Sequence, residues 1–370
     1  MGVDPEGGAP QVDGMKSVPF GRKVQAQELL AELSARQDMP VSAMLQLTQR
    51  CNFRCAHCYQ SHPRHPELTT AQWSGVMERL ADAGVLFLTL SGGEPLLRDD
   101  FVDIAERARE LRFALKLKTN GWRLDDPLAD TLESLSVMEV HLSFYSSRPS
   151  VHDAITGVPG SHDRVMRAAR ALAARGVGVL MNVPLMNVNA DHKDEIIDTC
   201  EREGLGWTMD PHLNVCEDGR CSPRELRMTD AQLDLVFADE RIFDASAVRG
   251  AAHRRTIEDR VCNAGRASCV VTDTGDVLPC PLLQVVFGNV LEDDLVHIWK
   301  TSAKRRRIDA IRWKSLPACR DCELLGWCVR CHGAALFEEG DMYGPSRVAC
   351  QAARARRRAA GGGRCIPPPP

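Results

Sequence analysis

The chain has 370 residues, of which 44% are hydrophobic and 26% charged, with a net charge of -4. That balance fits a globular protein of two domains, or of one large domain with an appendage, and it disfavours a nucleic-acid coat, because no global positive field exists to attract phosphate. No apolar run reaches the ~18 residues of a membrane span, and MGVDPEGGAPQVDG lacks the basic stretch and apolar core of an export signal, so a cytoplasmic protein free of membrane is expected.

Residues 1–43 read as a Gly/Pro-rich tail followed by a helix-like stretch from Val24 to Arg36. From residue 44 an alternating rhythm begins. Strands are predicted at 44–49, 85–90, 114–119, 138–144, 178–185 and 206–213. Helices are predicted from Thr70 (capped by Thr69 or Thr70) to Asp82, at 99–111, and near 126–134, 161–175 and 190–203. The strands are apolar or alternate only weakly, as when both faces are covered. Strands interleaved with helices argue for parallel βα units with right-handed crossovers, which leaves a doubly wound sheet and a barrel as alternatives. Cys51, the Gly92–Pro95 segment, Asn120 and Ser143 all follow strand ends, so in either architecture they face one mouth. The rhythm stops near residue 215, and the α/β unit is assigned to 44–230 with a linker helix within 231–261. Residues 262–352 are cysteine-rich and too loop-rich for a large apolar core, so metal is expected to staple them. The low-complexity residues 353–370 are expected to be a disordered tail.

Fifteen cysteines without an export signal do not read as a disulfide scaffold, and their clustering points to metal. In Cys51-Asn-Phe-Arg-Cys55-Ala-His-Cys58, three thiols share one loop directly after the first strand. Three thiolates hold three irons of a four-iron cluster and leave the fourth open, whereas closed clusters use four. Zinc would need a fourth ligand, and His57 is awkwardly wedged between two residues that already bind.

This motif resembles the signature of the radical S-adenosylmethionine (SAM) superfamily. Tyr59 matches the aromatic residue after the third cysteine, and Gly92, Gly93, Glu94 and Pro95 match the family's GGEP segment, where the glycines let the backbone approach the methionine end of SAM. Asn120, in Lys118-Thr-Asn-Gly121, matches the segment after the third strand. Ser143 and Asn182 fall where the family contacts SAM, although ordinary strand polarity would account for them too. Thr156 stands where many relatives carry an arginine, which leaves Arg148 and Arg164 as candidates for the carboxylate of SAM.

The pattern Cys262-x6-Cys269-x10-Cys280, then Cys319-x2-Cys322-x5-Cys328-x2-Cys331 and finally Cys350, resembles the SPASM extension of that superfamily, with a last gap of two residues instead of three. The resemblance implies an α/β fold, a partial (β/α)6 TIM-type barrel with a small C-terminal iron-sulfur domain. It implies three [4Fe-4S] clusters and SAM: one cluster on Cys51, Cys55 and Cys58, one on Cys262, Cys269, Cys280 and Cys331, and one on Cys319, Cys322, Cys328 and Cys350. Two zinc ribbons are the competing reading of the second group. Of the remaining cysteines, Cys200 reads as helix packing and Cys365 as part of the tail. Cys216 and Cys221 read either as chance loop thiols or as a hydrogen-atom donor or substrate contact at the mouth.

What the resemblance implies for function is a 5′-deoxyadenosyl radical, made by reductive cleavage of SAM, that takes hydrogen from an unactivated C–H bond. The auxiliary clusters would accept or relay an electron. The sequence is most similar to the peptide-maturase branch that includes crosslinking of the pyrroloquinoline quinone precursor. A precursor peptide is then the expected substrate and a flavodoxin or ferredoxin the reductant. With no room for a recognition domain of ~80 residues before Gln46, a separate small peptide-recognition protein is expected. Peptide epimerisation with a cysteine donor, a maturase of the sulfatase-activating kind and tetrapyrrole oxidation are the alternatives. The non-enzyme alternative is a zinc-stabilised binding module whose Arg354, Arg356, Arg357 and Arg358 touch nucleic acid, although basic tails are more often simply solvated.

Overall fold

Strand β1 (Ser42–Gln46) begins the βα rhythm in the computed structural model, which describes residues 38–62, 65–217, 222–244, 252 and 254–361. It is followed by β2 (Phe87–Ser91), β3 (Ala114–Thr119), β4 (Glu139–Ser143), β5 (Gly178–Pro184) and β6 (Gly206–Asp210), all paired in parallel. Between them run α1 (Thr70–Asp82), α2 (Phe101–Glu110), α3 (Asp126–Ser134), α4 (Pro149–Thr156), α5 (Ser161–Ala173) and α6 (Lys193–Arg202). These units build a partial (β/α)6 barrel. Helix α1 shows why the helices sit where the pattern puts them. Thr69 caps it reciprocally with Gln72, and Trp73, Val76, Met77 and Leu80 form one buried stripe at helical spacing.

The strands alternate more cleanly than their composition suggests. In ALKLKT, Leu115 and Leu117 are buried, while Lys116 and Lys118 stay partly exposed on the other face. The helix-facing set, including Leu45, Leu88, Leu90 and Leu142, packs with Trp73, Met77 and Ile104 into one core. The opposite face carries the polar residues and lines the barrel.

The sheet does not end with the βα units. After α7 (Asp230–Phe237), strand β7 (Ser268–Val271) pairs in parallel with β1, and β8 (Asp276–Leu278) and β9 (Gly288–Asn289) continue antiparallel. The order is β6-β5-β4-β3-β2-β1-β7-β8-β9. The cysteine-rich region is therefore joined to the barrel through its first hairpin. Phe287, Leu295, Ile298 and Trp299 enter the main core, and only Ile311, Trp313, Leu316 and Cys319 form a separate cluster. This region adds α8 (Leu295–Thr301), α9 (Ala303–Asp309), α10 (His332–Glu339) and α11 (Arg347–Ala359).

Helix α11 corrects the expectation of disorder from residue 353. Val348, Ala349, Ala352, Ala353 and Ala355 make a buried stripe, and alanine is the strongest helix former. The helix packs on α7, with Arg356 buried over Phe237 at 4.9 Å and Arg358 paired to Asp234 at 2.6 Å. Arg357 pairs with Glu323 at 2.9 Å. These arginines are engaged within the fold, which argues against a free basic tail for nucleic acid. The stretch Val24 to Arg36, Cys221, Cys365 and residues 362–370 lie outside the described residues. No helix among the described residues is long and apolar enough to cross a membrane.

Candidate active site

The loop carrying Cys51, Cys55 and Cys58 leaves the end of β1 and is braced from two sides. On one side, Arg54 N–H and Ala56 N–H donate to the Thr156 and Ile155 carbonyls at the end of α4, at 3.2 and 2.9 Å. Thr156 thus serves the loop through its backbone, and its hydroxyl bonds Ser161 at 2.7 Å. On the other side, Gly93 N–H and Glu94 N–H donate to the Thr48 and Arg50 carbonyls at 2.7 and 2.8 Å. A Cβ on Gly92, whose φ is +136°, would fall 2.3 Å from the Thr48 carbonyl oxygen, and one on Gly93 would fall 2.4 Å from that of Arg50. The glycines are required because the backbone of the second strand end packs onto the chain leading into Cys51.

The three thiols are partly buried and feel one another. Burial pushes Cys55 up to about 12 and Cys58 up to about 11, and the neighbouring thiols add to both shifts. Ligation by thiolates would therefore release protons. The Cys51 sulfur accepts from Phe53 N–H at 3.4 Å and the Asn120 side chain also bonds it, while Asn120 Nδ2 donates to Asn52 at 2.9 Å. Three cysteines on one loop, with N–H donors aimed at sulfur, fit the three-corner attachment of a four-iron cluster.

His57 does not complete a zinc site. Its ring packs edge-on against Tyr145 at 4.7 Å, and burial lowers it to about 4, with Nδ1 unpartnered. Among the described residues no three His, Cys, Asp or Glu side chains converge on a single metal ion. The sequence offers His57 only as an awkward fourth zinc ligand and does not single out Tyr145. Tyr145 is 5% exposed and places its hydroxyl 3.9 Å from the Cys55 sulfur. The aromatic residue two places beyond Ser143, in HLSFYS, was the available signal.

Of the other strand-end residues, Ser143 on β4 and Asn182 on β5 stand opposite each other in register. Arg148 is held on the outer surface by Glu195, away from this group. Arg164 lies over Trp122, just after Asn120, at 5.3 Å. Burial holds the Tyr59 hydroxyl well above its usual range, and Cys58, Glu217 and Cys280 add to the shift, so this residue lies within electrostatic reach of both the first loop and the second cysteine group. Cys216 is 4% exposed, and its thiol donates to the Cys58 carbonyl at 3.4 Å.

Glu94 is 1% exposed and works as a structural clasp. It accepts from Leu96 N–H at 3.1 Å, from the Thr119 hydroxyl at 2.6 Å and from Asn120 N–H at 2.7 Å, joining the ends of β2 and β3. Burial outweighs these donors and raises its carboxyl from 4.5 to about 7. The folded chain thus keeps a proton that the unfolded chain loses. The stabilising contribution is complete below the unfolded value and is lost as pH rises through the folded one, on the order of 3 kcal/mol in all. Glu94→Gln is expected to flatten this part of the stability profile while losing one acceptor. Denaturant midpoints compared on either side of neutrality check it.

The second group divides into two sets. Cys262, Cys280 and Cys331 influence one another, and Cys319, Cys322, Cys328 and Cys350 form the other set. Cys331 caps α10, its sulfur accepting from Ala334 N–H at 3.4 Å. A Cβ on Gly333 would fall 2.2 Å from the Leu282 carbonyl oxygen, a close approach that draws Cys331 toward Cys280. Cys269 is not brought to this set. It lies on β7 beside Ala43, 2% exposed in the main core, and burial alone pushes it up to about 12. Strand alternation turns its side chain to the helix-facing side with Val271. The spacing of Cys262 and Cys269 gave no warning of this, because β7 was not foreseen as a partner of β1. Cys200, fully buried on α6, is core packing.

The comparisons with known proteins agree with this geometry. The Radical SAM superfamily profile matches residues 45–200, and that of the SPASM iron-sulfur cluster-binding domain matches residues 262–323. A PqqA peptide cyclase of Streptomyces rochei is 30% identical over 76% of this chain and 81% of its own length. The mycofactocin maturase MftC of Mycobacterium tuberculosis is 29% identical over 86% of this chain and 84% of its own. Streptococcus suis SuiB, solved with S-adenosylmethionine bound, shares the fold at a TM-score of 0.66, with 18% identity over 88% of this chain and 81% of that one. With its three-cysteine loop at the barrel mouth and two further thiol sets in the region joined to the barrel through β7, the chain belongs to the radical SAM superfamily, among the members that carry a SPASM domain.

Proposed function

We propose that this enzyme oxidatively modifies a ribosomally made precursor peptide by forming a carbon–carbon or thioether crosslink. The reading is supported by the relatives named PqqA peptide cyclase and mycofactocin maturase, which match most of the chain. The observation that carries it is the pairing of a three-thiol loop with two further thiol sets, the equipment for starting a radical and for taking up the electron left behind. When bound, the cluster and S-adenosylmethionine supply a 5′-deoxyadenosyl radical that removes hydrogen from an unactivated C–H bond.

In this reading Cys51, Cys55 and Cys58 hold the first cluster. The segment Gly92–Pro95, with Tyr59, Asn120, Ser143 and Asn182, orients S-adenosylmethionine over it. Cys262, Cys280 and Cys331 hold the first auxiliary cluster, and Cys319, Cys322, Cys328 and Cys350 the second. The barrel wall excludes water around the reacting position. Leader binding by a separate small recognition protein and electron supply by a flavodoxin or ferredoxin belong to the same proposal.

Anaerobic reconstitution is expected to give about twelve irons per chain. Incubation with peptides encoded beside the gene is then expected to yield deoxyadenosine and a product lighter by two hydrogen atoms. Deuterium entering a peptide Cα from heavy water would instead mark epimerisation with Cys216 as donor, and a colourless protein holding zinc would overturn the enzyme reading. Tight leader binding by the purified enzyme alone would remove the partner protein from the proposal.

A further inference from the structure

A polar cavity of about 240 Å³ opens beside the first cysteine loop, where the turn between β7 and β8 meets the end of β1 and the segment after β6. It would hold on the order of eight waters. Three carboxylates line it, those of Glu217, Asp273 and Asp276, and among the described residues no lysine or arginine does. Gln60, two residues beyond Cys58, also faces it.

The three carboxylates are not equivalent. Glu217 accepts from Ser61 N–H and the Ser61 hydroxyl at 2.8 and 2.7 Å. Asp276 accepts from Asn289 Nδ2 at 3.0 Å and from the Thr274 hydroxyl at 3.4 Å. Asp273 is 1% exposed, yet its Oδ2 receives no hydrogen bond from the described residues. Its Oδ1 receives one long contact from Gln49 at 3.5 Å, and among the described residues the nearest cation-forming group is His65, 3.7 Å from Oδ2. Burial correspondingly holds this carboxyl above the usual range. Buried acceptors are almost always paired, so one with lone pairs to spare, on a residue that lines the cavity, is the natural place for a donor that the described residues do not supply.

A bare divalent ion does not fit, since no three acidic or imidazole groups of the described residues converge on a point. A larger cation with several N–H donors does, because the acceptors are spread around a volume. We infer that this cavity is a specificity subsite that binds one ammonium or guanidinium group of the peptide substrate, with Asp273 as its anchoring carboxylate. The inference rests on the peptide reading above and deepens it, since the cation would sit within a few residues of the loop holding the first cluster. Asp273 is a positioning residue and takes no part in bond cleavage.

The test uses reconstituted protein and three probes: the blocked amides Nα-acetyl-lysine amide, Nα-acetyl-arginine amide and Nα-acetyl-glutamate amide, followed by saturation-transfer NMR. At least one cationic amide is expected to bind, the glutamate amide is not, and Asp273→Asn is expected to weaken the cationic amide at least tenfold. Equal binding to the variant, or no binding of either cationic amide to the wild type, overturns the inference. Melting of the unliganded proteins gives a second readout. A buried carboxylate with one oxygen lacking a donor strains the empty protein, so Asp273→Asn is expected to melt no lower than the wild type. A variant several degrees less stable would make Asp273 structural and sink the subsite. Loss of the subsite with peptide conversion intact would leave the proposed function standing, whereas absence of deoxyadenosine formation from every peptide would strike that function alone.

Discussion

Gly93→Ala is expected to strip the first cluster from an otherwise folded enzyme. The added methyl would meet two backbone oxygens, those of Arg50 at 2.4 Å and Gln49 at 2.8 Å. Neither is the end of a flexible side chain, so relief requires moving the chain that enters Cys51. The same contact carries the hydrogen bonds from Gly93 and Glu94 that fix the loop. Overpacking of this kind costs about 1–3 kcal/mol, a small part of a large domain's stability, but a cluster tolerates little displacement of its ligands. After reconstitution the variant should hold about eight irons in place of about twelve. It should form no deoxyadenosine, while its circular dichroism and auxiliary-cluster signals persist. Full iron content with wild-type cleavage would show that the glycines do not brace the loop.

The second large effect is expected at Arg330. This arginine lies in the short gap between Cys328 and Cys331 and is 2% exposed. Its guanidinium donates to the carbonyls of Met342 and Gly344, at 2.7 and 3.0 Å, and pairs with His332. It also bonds the Cys319 thiol, and its charge reaches Cys262 and Cys350. One buried cation therefore stands between both auxiliary thiol sets. Burying it without partners would be prohibitive, so thiolate charge on either side is what makes it tolerable. A fixed positive charge favours the more reduced, more negative state of a neighbouring cluster. Arg330→Gln is expected to lower the auxiliary reduction potentials by on the order of 50–100 mV, as follows from about 1–2 kcal/mol of charge interaction in a one-electron couple. Arg330→Lys should recover part of the shift. Potentiometric titration followed by paramagnetic resonance reads this directly, and unchanged potentials at full iron content would refute it.

The six-strand rhythm was legible because each strand is a short apolar run with turn residues on both sides, and helices such as α1 carry their own caps. The residues of the first loop were legible for a different reason: three cysteines so close in sequence remain close in any fold. Longer-range features were not. Cys269 looked like a ligand because it sits between two others, and only the pairing of β7 with β1 shows that alternation turns it toward the core. Composition misread the start of the last segment, since RARRR looks solvated until the alanine stripe of α11 meets α7. The packing of His57 on Tyr145 and the buried carboxylate of Asp273 escaped notice because burial and an unpaired oxygen are properties of packing, not of spacing.

The ladder between β1 and β7 also governs how the molecule can be cut. A barrel expressed without its iron-sulfur portion would present a naked, hydrophobic strand edge at the very strand that leads into Cys51, an invitation to self-association. Truncates should therefore precipitate or oligomerise, and assembly of the two halves is obliged to proceed as one cooperative event.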